Sequence, residues 1–257
     1  MLNHEYHSHP AINKSSLDVL DKSPWNYYME YLNPNKPIRE STASMQNGTA
    51  IHMAILEPEL FHRTYALAPD CRRGTKEWAK AQLENDGKVL LKPDEYEDII
   101  CSRDAILNDS VASVLLKGAE FEQTFFWIDS DTGLQCKCRP DALNNWICDI
   151  KKTKSVTPYD FQKSATAYRY FIQAAFYSDG VSYATGKERD GFIFVCVEDK
   201  YPYDTACYMY EEDDLHYARE EYKRLLSLLK SCKNNNIWPK LNQEIRQLKI
   251  PEWKKVS

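Results

Sequence analysis

The chain has 257 residues, enough for one large domain or two small ones, and we predict a single domain. Hydrophobic residues make up 43%, charged residues 28% and aromatic residues 12%, which is typical of soluble globular proteins and excludes an intrinsically disordered chain. The net charge of −5 excludes a protein that coats nucleic acid generally, because phosphate binding needs positive potential.

The sequence contains neither a membrane segment nor a disulfide framework. No apolar run approaches the roughly 20 residues that cross a bilayer, and the polar start lacks the apolar core of a secretory signal. We therefore expect a cytoplasmic protein without a membrane partner. The cysteines are scattered without a CxxC pair, which predicts reduced thiols rather than disulfides or an iron-sulfur cluster. The eight cysteines are Cys71, Cys101, Cys136, Cys138, Cys148, Cys196, Cys207 and Cys232.

The N-terminal part, about residues 1–117, is predicted to be mostly helical. The segment GTAIHMAILEPE predicts a buried helix that starts near Gly48, carries His52 and ends before Pro58. In chain order, the other predicted features are a helix capped by Ser15 or Ser16 with a break at Ser23–Pro24, a loop from Asn33 to Arg39, and helices over 75–86 and 93–117.

Composition changes in the next part, residues 118–232, which we predict to hold the core of the fold. The stretch FEQTFFWIDSDTGLQCKCRPDALNNWICDIKK is aromatic and alternating with two turn signals, which predicts a meander of three consecutive antiparallel strands. In chain order, the meander is followed by a helix over 157–179, strands over 191–198 and 204–210, a helix over about 211–232, and a tail of residues 233–257 with Trp238 and Trp253 as anchors.

Basic residues are concentrated between Cys136 and Arg169. Seven bases stand there against three acids, a local charge of +4 that leaves −9 for the rest of the chain. This pattern favours a basic stripe that contacts phosphates, and a solvated surface face is the alternative. The bases are Lys137, Arg139, Lys151, Lys152, Lys154, Lys163 and Arg169, and the acids are Asp141, Asp149 and Asp160.

Asp141, Asp149 and Lys151 form the pattern that most clearly indicates chemistry. Side chains alternate along a strand, so Asp149 and Lys151 should share one face while Ile150 points into the core. A short hairpin should bring Asp141 beside Asp149, and two such carboxylates repel each other unless a cation neutralises them. Mg²⁺ suits these oxygen ligands, which favours phosphodiester hydrolysis with Lys151 offsetting negative charge. Asp-x-Lys is common, and an incidental surface strand is the alternative.

Three features elsewhere in the chain favour the same site. Glu122 precedes the strand predicted to pair with the Asp141 strand, so a third carboxylate can reach that edge, although alone it would be an exposed acid. His52 lies in an apolar helical stretch and needs a partner, either a backbone acceptor in the core or a metal. A polar stripe on the helix after Lys151 consists of Tyr170, Gln173 and Tyr177, at steps of three and four.

The ordered set of motifs resembles the RecE-type (exonuclease VIII) branch of the PD-(D/E)xK nucleases. The opening segment AINKSSLDVLDKSPWNYYMEYL is also similar, so the resemblance covers nearly the whole chain. It implies an α/β (α+β) fold in which helices flank a mixed central sheet, within a single exonuclease domain over residues 1–257. The motifs are His52 in GTAIH, Glu122 in EQTFFW, Asp141 in CRPDAL, Asp149 and Lys151 in CDIKKT, and Gln173 and Tyr177 in YRYFIQAAFY.

The resemblance also implies roles for these residues. His52, Asp141 and Asp149 would bind the metal through their side chains and Ile150 through its carbonyl oxygen. Glu122 would hold a second metal or a water, Lys151 would be the catalytic lysine, and Gln173 and Tyr177 would orient Lys151 or the DNA end. The family usually has two threonines after the lysine, and Lys152 here puts the local phosphate contacts in doubt. The predicted DNA contacts are Lys152, Lys154, Arg139, Arg169 and Tyr170.

The activity implied by the resemblance is 5′ to 3′ degradation of one strand of linear duplex DNA, with Mg²⁺ as cofactor and Mn²⁺ as a substitute. The implied assembly is a toroidal homo-tetramer, which hands the exposed 3′ strand to a single-strand annealing protein of the RecT type in phage or prophage recombination. A compact domain without the long N-terminal extension of some relatives is also expected. The alternatives are an endonuclease or single-strand nuclease of the same fold, and a non-catalytic subunit that binds DNA ends.

Overall fold

The computed structural model describes residues 1, 3–37, 43–241, 245 and 247–250, and of residues 43–47 only the main chain. Helices dominate the first half of the described chain. In chain order the elements there are α1 (Asn3–Ser8), α2 (Lys14–Lys22), α3 (Pro24–Tyr27), a π-helical turn (Tyr28–Leu32), α4 (Ala43–Leu56), α5 (Pro58–Thr64), β1 (Tyr65–Leu67), α6 (Lys76–Glu84), β2 (Val89–Leu91), α7 (Pro93–Asn108) and α8 (Ala112–Leu116).

Most of the strands lie in the second half. In chain order its elements are β3 (Glu120–Phe121), β4 (Phe125–Ile128), β5 (Gln135–Cys138), β6 (Ala142–Leu143), β7 (Trp146–Thr153), α9 (Pro158–Ala167), α10 (Tyr170–Thr185), β8 (Gly191–Glu198), β9 (Thr205–Tyr208) and α11 (Glu212–Asn235). The main sheet has the order β3-β6-β7-β8-β9, with β7 and β8 parallel and the other neighbours antiparallel. The expected mixed central sheet flanked by helices is therefore confirmed.

The strands β7 and β8 form the centre of this sheet, and both of their faces are covered. Successive side chains of a strand point to opposite faces. Ile147 and Phe194 therefore pack on one side with α10 and α11, whereas Ile150 and Val195 pack on the other with α4 and α7. These apolar runs on both faces explain why residues 147–150 of β7 and 192–197 of β8 are buried.

The predicted three-stranded meander is wrong in one respect. β4 and β5 pair as a separate antiparallel hairpin, and β5 has no ladder to β7. Pro140 has no amide hydrogen, so the ladder of β5 ends before it. The chain then starts the short strand β6, which pairs with β3 and β7.

Two predicted helices are each divided in the structure. The helix over 157–179 breaks at Arg169, whose left-handed backbone (φ 53°, ψ 48°) separates α9 from α10. Tyr168 beside the break is exposed and not part of the predicted apolar face. The helix over 93–117 ends at Asn108, because the Asp109 carboxylate accepts the N–H groups of Val111 and Ala112 and starts α8.

The starts of two helices also differ from expectation, whereas one anchor of the tail agrees with it. Asn13, not Ser15 or Ser16, caps α2 through a reciprocal pair of hydrogen bonds with Ser16, whereas the predicted break at Ser23–Pro24 is present. The helix that carries His52 starts at Ala43 rather than near Gly48. Trp238 stacks on Tyr27 with ring centroids 5.9 Å apart, which agrees with its role as an anchor. Trp253 and residues 38–39 of the predicted loop lie outside the described residues.

Neither a disulfide nor a helix suited to a bilayer is found in the described chain. All eight cysteines have free thiols, as expected from their spacing. Among the residues that the structure covers, each helix is too short or too polar to span a membrane.

The hairpin of β4 and β5 is tied to α10 by one close contact. The Trp127 ring packs against Phe176 with centroids 4.8 Å apart and lies over Gly180, which has no side chain. A Cβ atom added at Gly180 would lie 2.5 Å from two atoms of the Trp127 ring, closer than van der Waals contact allows. Glycine is thus required here by the approach of the ring.

We expect Gly180→Ala to lower the free energy of unfolding by about 1–3 kcal/mol, because the methyl group overpacks the Trp127 contact. Helix propensity alone would favour alanine by about 1 kcal/mol, so the two effects have opposite signs. Urea denaturation measures the difference. Gly48→Ala is the matched control, since Gly48 is also helical and a Cβ there meets nothing within 4 Å. Equal or greater stability of Gly180→Ala would contradict the assigned contact.

Candidate active site

The two aspartates predicted to share a site lie next to each other. Ala142 pairs with Cys148 across the ladder of β6 and β7, which puts Asp141 beside the middle of β7. The Asp141 Oδ2 atom accepts the N–H of Ile150 at 2.6 Å, so the main chain of β7 fixes this carboxylate. Both aspartates are buried. Two buried negative charges are costly unless nearby groups compensate them.

Asp149 is held by two side chains from different elements. Its Oδ2 lies 2.5 Å from the Lys151 Nζ, two residues along the same strand. Its Oδ1 accepts a hydrogen bond from the Nε2 of Gln173 on α10, at 2.5 Å. The Ile150 side chain is fully buried in the opposite core cluster. The structure therefore places Asp149 and Lys151 on one face and Ile150 on the other, as strand alternation predicts.

Tyr170 and Tyr177 belong to the same face of α10 as Gln173. The Lys151 ammonium lies 4.6 Å from the centroid of the Tyr170 ring, within the range of a cation–π contact. Tyr177 lines a cavity that also contains both aspartates. The polar stripe seen in the sequence is therefore the side of α10 that faces Lys151 and Asp149.

His52, Glu122 and Asp141 form a compact group of potential metal ligands. One ligand atom from each residue lies within 4.8 Å of the other two. The His52 Nδ1 is 3.3 Å from the Asp141 Oδ2, and the Glu122 N–H donates to the Asp141 carbonyl oxygen at 3.0 Å. Arg139 lies against this group, with its Nε 2.5 Å from the Glu122 Oε2. Three elements distant in sequence therefore meet at Asp141.

Glu122 has an uncommon backbone conformation. Its φ of 54° is left-handed, and a residue other than glycine pays about 1–3 kcal/mol in such sparsely populated regions. The surrounding hydrogen bond to Asp141 keeps it in place. Strain of this kind is concentrated at functional sites, and here it directs a carboxylate toward His52 and Asp141.

The charges of the group shift the pKa values of its members. Burial lowers the pKa of His52, but the Asp141 carboxylate outweighs burial and raises it to about 9. Burial and then the charge of Asp141 raise the pKa of Glu122 to about 7, against the opposing effect of Arg139. Burial also raises the pKa of Asp149 in spite of Lys151, whereas the pKa of Asp141 is lowered, because His52 and Lys151 outweigh its burial. Protons thus take part in neutralising the acidic group.

The donor set fits a divalent cation. The Asp149 Oδ2 atom is buried and, among the described residues, accepts no well-aligned hydrogen bond, although Lys151 lies close to it. Carboxylate oxygens suit hard cations such as Mg²⁺, and the additional imidazole also suits first-row transition metals. His52, Glu122 and Asp141 would hold the ion, with Asp149 at its border. The proposed role of the Ile150 carbonyl oxygen stays a prediction.

The predicted basic stripe is not a continuous surface. Lys137 is only 2% exposed and points into the protein. Arg139 contacts Glu122, and Lys152 contacts Asp199 at 3.2 Å. The guanidinium group of Arg169 lies among three carboxylates, those of Asp18, Asp21 and Glu221. Lys154 is exposed. Most of the local positive charge is therefore already paired with protein carboxylates, although the DNA contacts assigned to these residues stay predictions.

Sequence reasoning missed the residues that the N-terminal segment adds to the site. Tyr6 and His7 line the same cavity of about 290 Å³ as His52, Glu122 and Asp141. The segment HEYHSH gave only a polar composition and no periodicity, so no signal indicated its position. A second cavity of about 400 Å³ lies beside Lys151 and is lined by α2 and the junction of α9 and α10.

Comparisons with known proteins describe the fold that carries this site. Residues 14–250 match the family described as a PDDEXK-like domain of unknown function (DUF3799). A crystal structure from Eubacterium rectale named "Putative exonuclease" superimposes with a TM-score of 0.70 at 15% identity, covering 100% of this chain and 98% of that chain. The solved structure of SSO0001 is 18% identical and covers 72% and 87%, but its TM-score of 0.29 carries no argument. No curated protein matches this chain.

We expect divalent cation binding to release protons and to strengthen as the pH rises. A cation takes the deprotonated forms of its ligands, whereas His52, with a pKa of about 9, and Glu122, with a pKa of about 7, hold protons below those values. Affinity for Mn²⁺ should therefore increase from about pH 6 to pH 9. Isothermal titration calorimetry in two buffers of different ionisation enthalpy measures the released protons. Heats that do not depend on the buffer would contradict this coupling, and His52→Gln should release fewer protons than the unaltered chain.

Proposed function

The chain belongs to the family of PDDEXK-like domains of unknown function, and on this premise we propose that it is a Mg²⁺-dependent DNA exonuclease. The name of the Eubacterium rectale structure agrees with this choice, although at 15% identity the likeness concerns the fold. Mn²⁺ is proposed as a substitute for Mg²⁺, because the histidine ligand is acceptable to either a hard or a borderline cation.

The observation that carries the proposal is the meeting of two groups at one point of β7. His52, Glu122 and Asp141 converge within 4.8 Å as a ligand set. Asp149 and Lys151 lie next to this ligand set on one face of β7, with the Lys151 Nζ 2.5 Å from the Asp149 Oδ2. A cation site directly beside a buried ammonium group is the arrangement that phosphodiester hydrolysis needs, because negative charge increases on the phosphate during attack.

Each residue of the site has a physical task in this reaction. A bound divalent cation supplies Lewis-acid stabilisation of the phosphate and activation of water. Lys151 contributes a fixed positive charge, and its pKa is raised because the effect of Asp149 and other nearby groups exceeds that of burial. Gln173 holds Asp149 through Oδ1 and leaves Oδ2 directed toward Lys151. Tyr170 places its ring against the Lys151 ammonium, where a cation–π contact helps to hold it.

The finer parts of the proposal rest on the resemblance to RecE-type nucleases. We propose 5′ to 3′ digestion of linear duplex DNA, which leaves a 3′ single strand for an annealing protein of the RecT type. We also propose that the enzyme works as a homo-tetramer ring in recombination of the phage type. Sedimentation of the purified protein tests the ring, because a tetramer of this 30.0 kDa chain is four times the monomer mass.

Digestion of linear and covalently closed circular duplex DNA tests the function. We expect mononucleotides from the linear substrate with Mg²⁺, no release with EDTA, and an intact circle. Lys151→Ala should lower kcat by about 100-fold or more, because it removes a charge that stabilises the transition state. Lys80→Ala is the control, since Lys80 is exposed on α6 and pairs with Glu84 on the same helix.

The outcomes separate the parts of the proposal. Equal cutting of the circle would replace the exonuclease by an endonuclease of the same fold. Release of label from the 3′ end first would contradict the polarity. Full activity of Lys151→Ala would contradict the assigned site. Binding of DNA ends without any hydrolysis in Mg²⁺ or Mn²⁺ would overturn the enzyme and leave a DNA-end binding subunit.

A further inference from the structure

The N-terminal segment Asn3–His9 forms part of the wall of the cation-binding cavity. Tyr6 and His7 line this cavity together with Glu122 and Asp141. The match to the family begins at residue 14, so the segment lies outside the part of the chain that the family describes. It therefore adds residues to the site that the family match does not include.

A buried lysine fixes the segment to the hairpin of β4 and β5. Lys137 is 2% exposed, and its ammonium group donates to the carbonyl oxygens of Tyr6 and of His9, the latter at 2.9 Å. The same Nζ atom lies 4.4 Å from the centroid of the Tyr6 ring. A buried ammonium group is costly unless it is fully hydrogen-bonded, so these contacts define one position for the segment.

The main chain after the segment is also fixed. Ile12 pairs with Cys136 in a parallel bridge. The Ile12 N–H donates to Gln135 at 2.9 Å, and the Ile12 carbonyl oxygen accepts from the Lys137 N–H at 2.7 Å. Chain termini are usually poorly ordered unless they are tied down in this way. The segment is thus held through its own carbonyl groups and through the Ile12 bridge that follows it.

Tyr6 links the segment to α10. Its side chain is buried, which raises the pKa of Tyr6, and interaction with the Tyr177 hydroxyl opposes this rise. Both tyrosines line the same cavity. Gln173, one turn earlier on α10, holds Asp149. The segment and the helix that carries Gln173 therefore meet at one tyrosine pair in the wall of this cavity.

His7 presents an unused polar group at the cavity. Its ring packs edge-on against Tyr6, with centroids 5.4 Å apart and an interplanar angle of 76°. No hydrogen bond to its ring nitrogens is found among the residues that the structure describes. Partial burial, followed by the charges of Lys137 and Arg139, lowers the pKa of His7, so the ring is neutral at pH 7. A neutral imidazole has one N–H donor and one acceptor.

We propose that His7 contacts the sugar–phosphate backbone of the substrate strand at the mouth of the cavity, and that Lys137 and Tyr6 position it there. The inference rests on the proposed function. Only if the site hydrolyses nucleic acid does a substrate strand enter this cavity and reach the cation group. A phosphate at the cation group places the neighbouring nucleotide against the cavity wall, where the His7 N–H can donate to a phosphate oxygen.

Steady-state kinetics on linear duplex DNA test the contact. We expect His7→Ala to raise KM about five- to tenfold with kcat changed less than about twofold, because one hydrogen bond in the bound state is lost. His7→Gln, which keeps an amide donor, should recover part of this loss. His4→Ala is the matched control, since His4 is an exposed histidine on the same helix and does not line the cavity. Affinity for Mn²⁺ should be the same in all of these variants.

A second variant tests the positioning role. Lys137→Met keeps the buried stem and removes the ammonium group, so hydrogen exchange of residues 3–9 should become faster and KM should rise as in His7→Ala. The double variant Lys137→Met/His7→Ala should then show no further rise, because both changes remove the same contact. Should Lys137→Met fail to fold, the comparison of His7 with His4 decides alone.

The results distinguish this inference from the function on which it rests. An unaltered chain that neither cleaves nor binds nucleic acid would overturn the proposed function and the inference together. Cleavage by the unaltered chain with equal KM values for His7→Ala and His4→Ala would overturn the inference alone. A loss in kcat at constant KM would also overturn it, because His7 would then act in the chemical step and not in binding.

Discussion

The structure depends on the neutralisation of two buried carboxylates, those of Asp141 and Asp149. Each lies where water cannot solvate it well, so other groups must supply the compensation. Asp141 receives the Ile150 N–H and the imidazole of His52, and Asp149 receives Lys151 and Gln173. The partners come from the strand itself, from the helix that carries His52 and from the helix on the opposite side of the sheet. The requirement for neutrality thus joins both layers of the fold at one point.

The position of β7 in the sheet explains how the fold meets this requirement. β7 lies between β6 and β8, and its apolar side chains contact a core cluster on each face. Rigid packing on both faces holds the strand in one register. Asp149 and Lys151 therefore project toward α10 from a fixed main chain, and this accuracy is what a site of transition-state stabilisation needs.

Short-range patterns predicted the centre of the site well, and long-range packing limited the rest. Alternation along one strand places Asp149 and Lys151 together, and helical spacing places Gln173 and Tyr177 together, so the sequence is sufficient for both. The break at Arg169 was not predictable from periodicity, because a left-handed residue other than glycine leaves the apolar spacing intact. The contact of Lys137 with Tyr6 joins residues 131 apart, and no local pattern indicates such a pair. Lys137 was assigned to a surface stripe for the same reason, although it is buried.

The pairing of basic residues with protein carboxylates has a consequence for how nucleic acid would associate. Arg139, Arg169 and Lys152 each contact an acidic side chain. While such a base stays paired with its carboxylate, it offers little net positive charge to a phosphate, so few condensed counterions would leave the DNA. The affinity would then change little with ionic strength, and the shape of the cavities beside Lys151 would matter more than the attraction of opposite charges at a distance. An overall acidic protein of this kind would not accumulate along a whole duplex by charge alone.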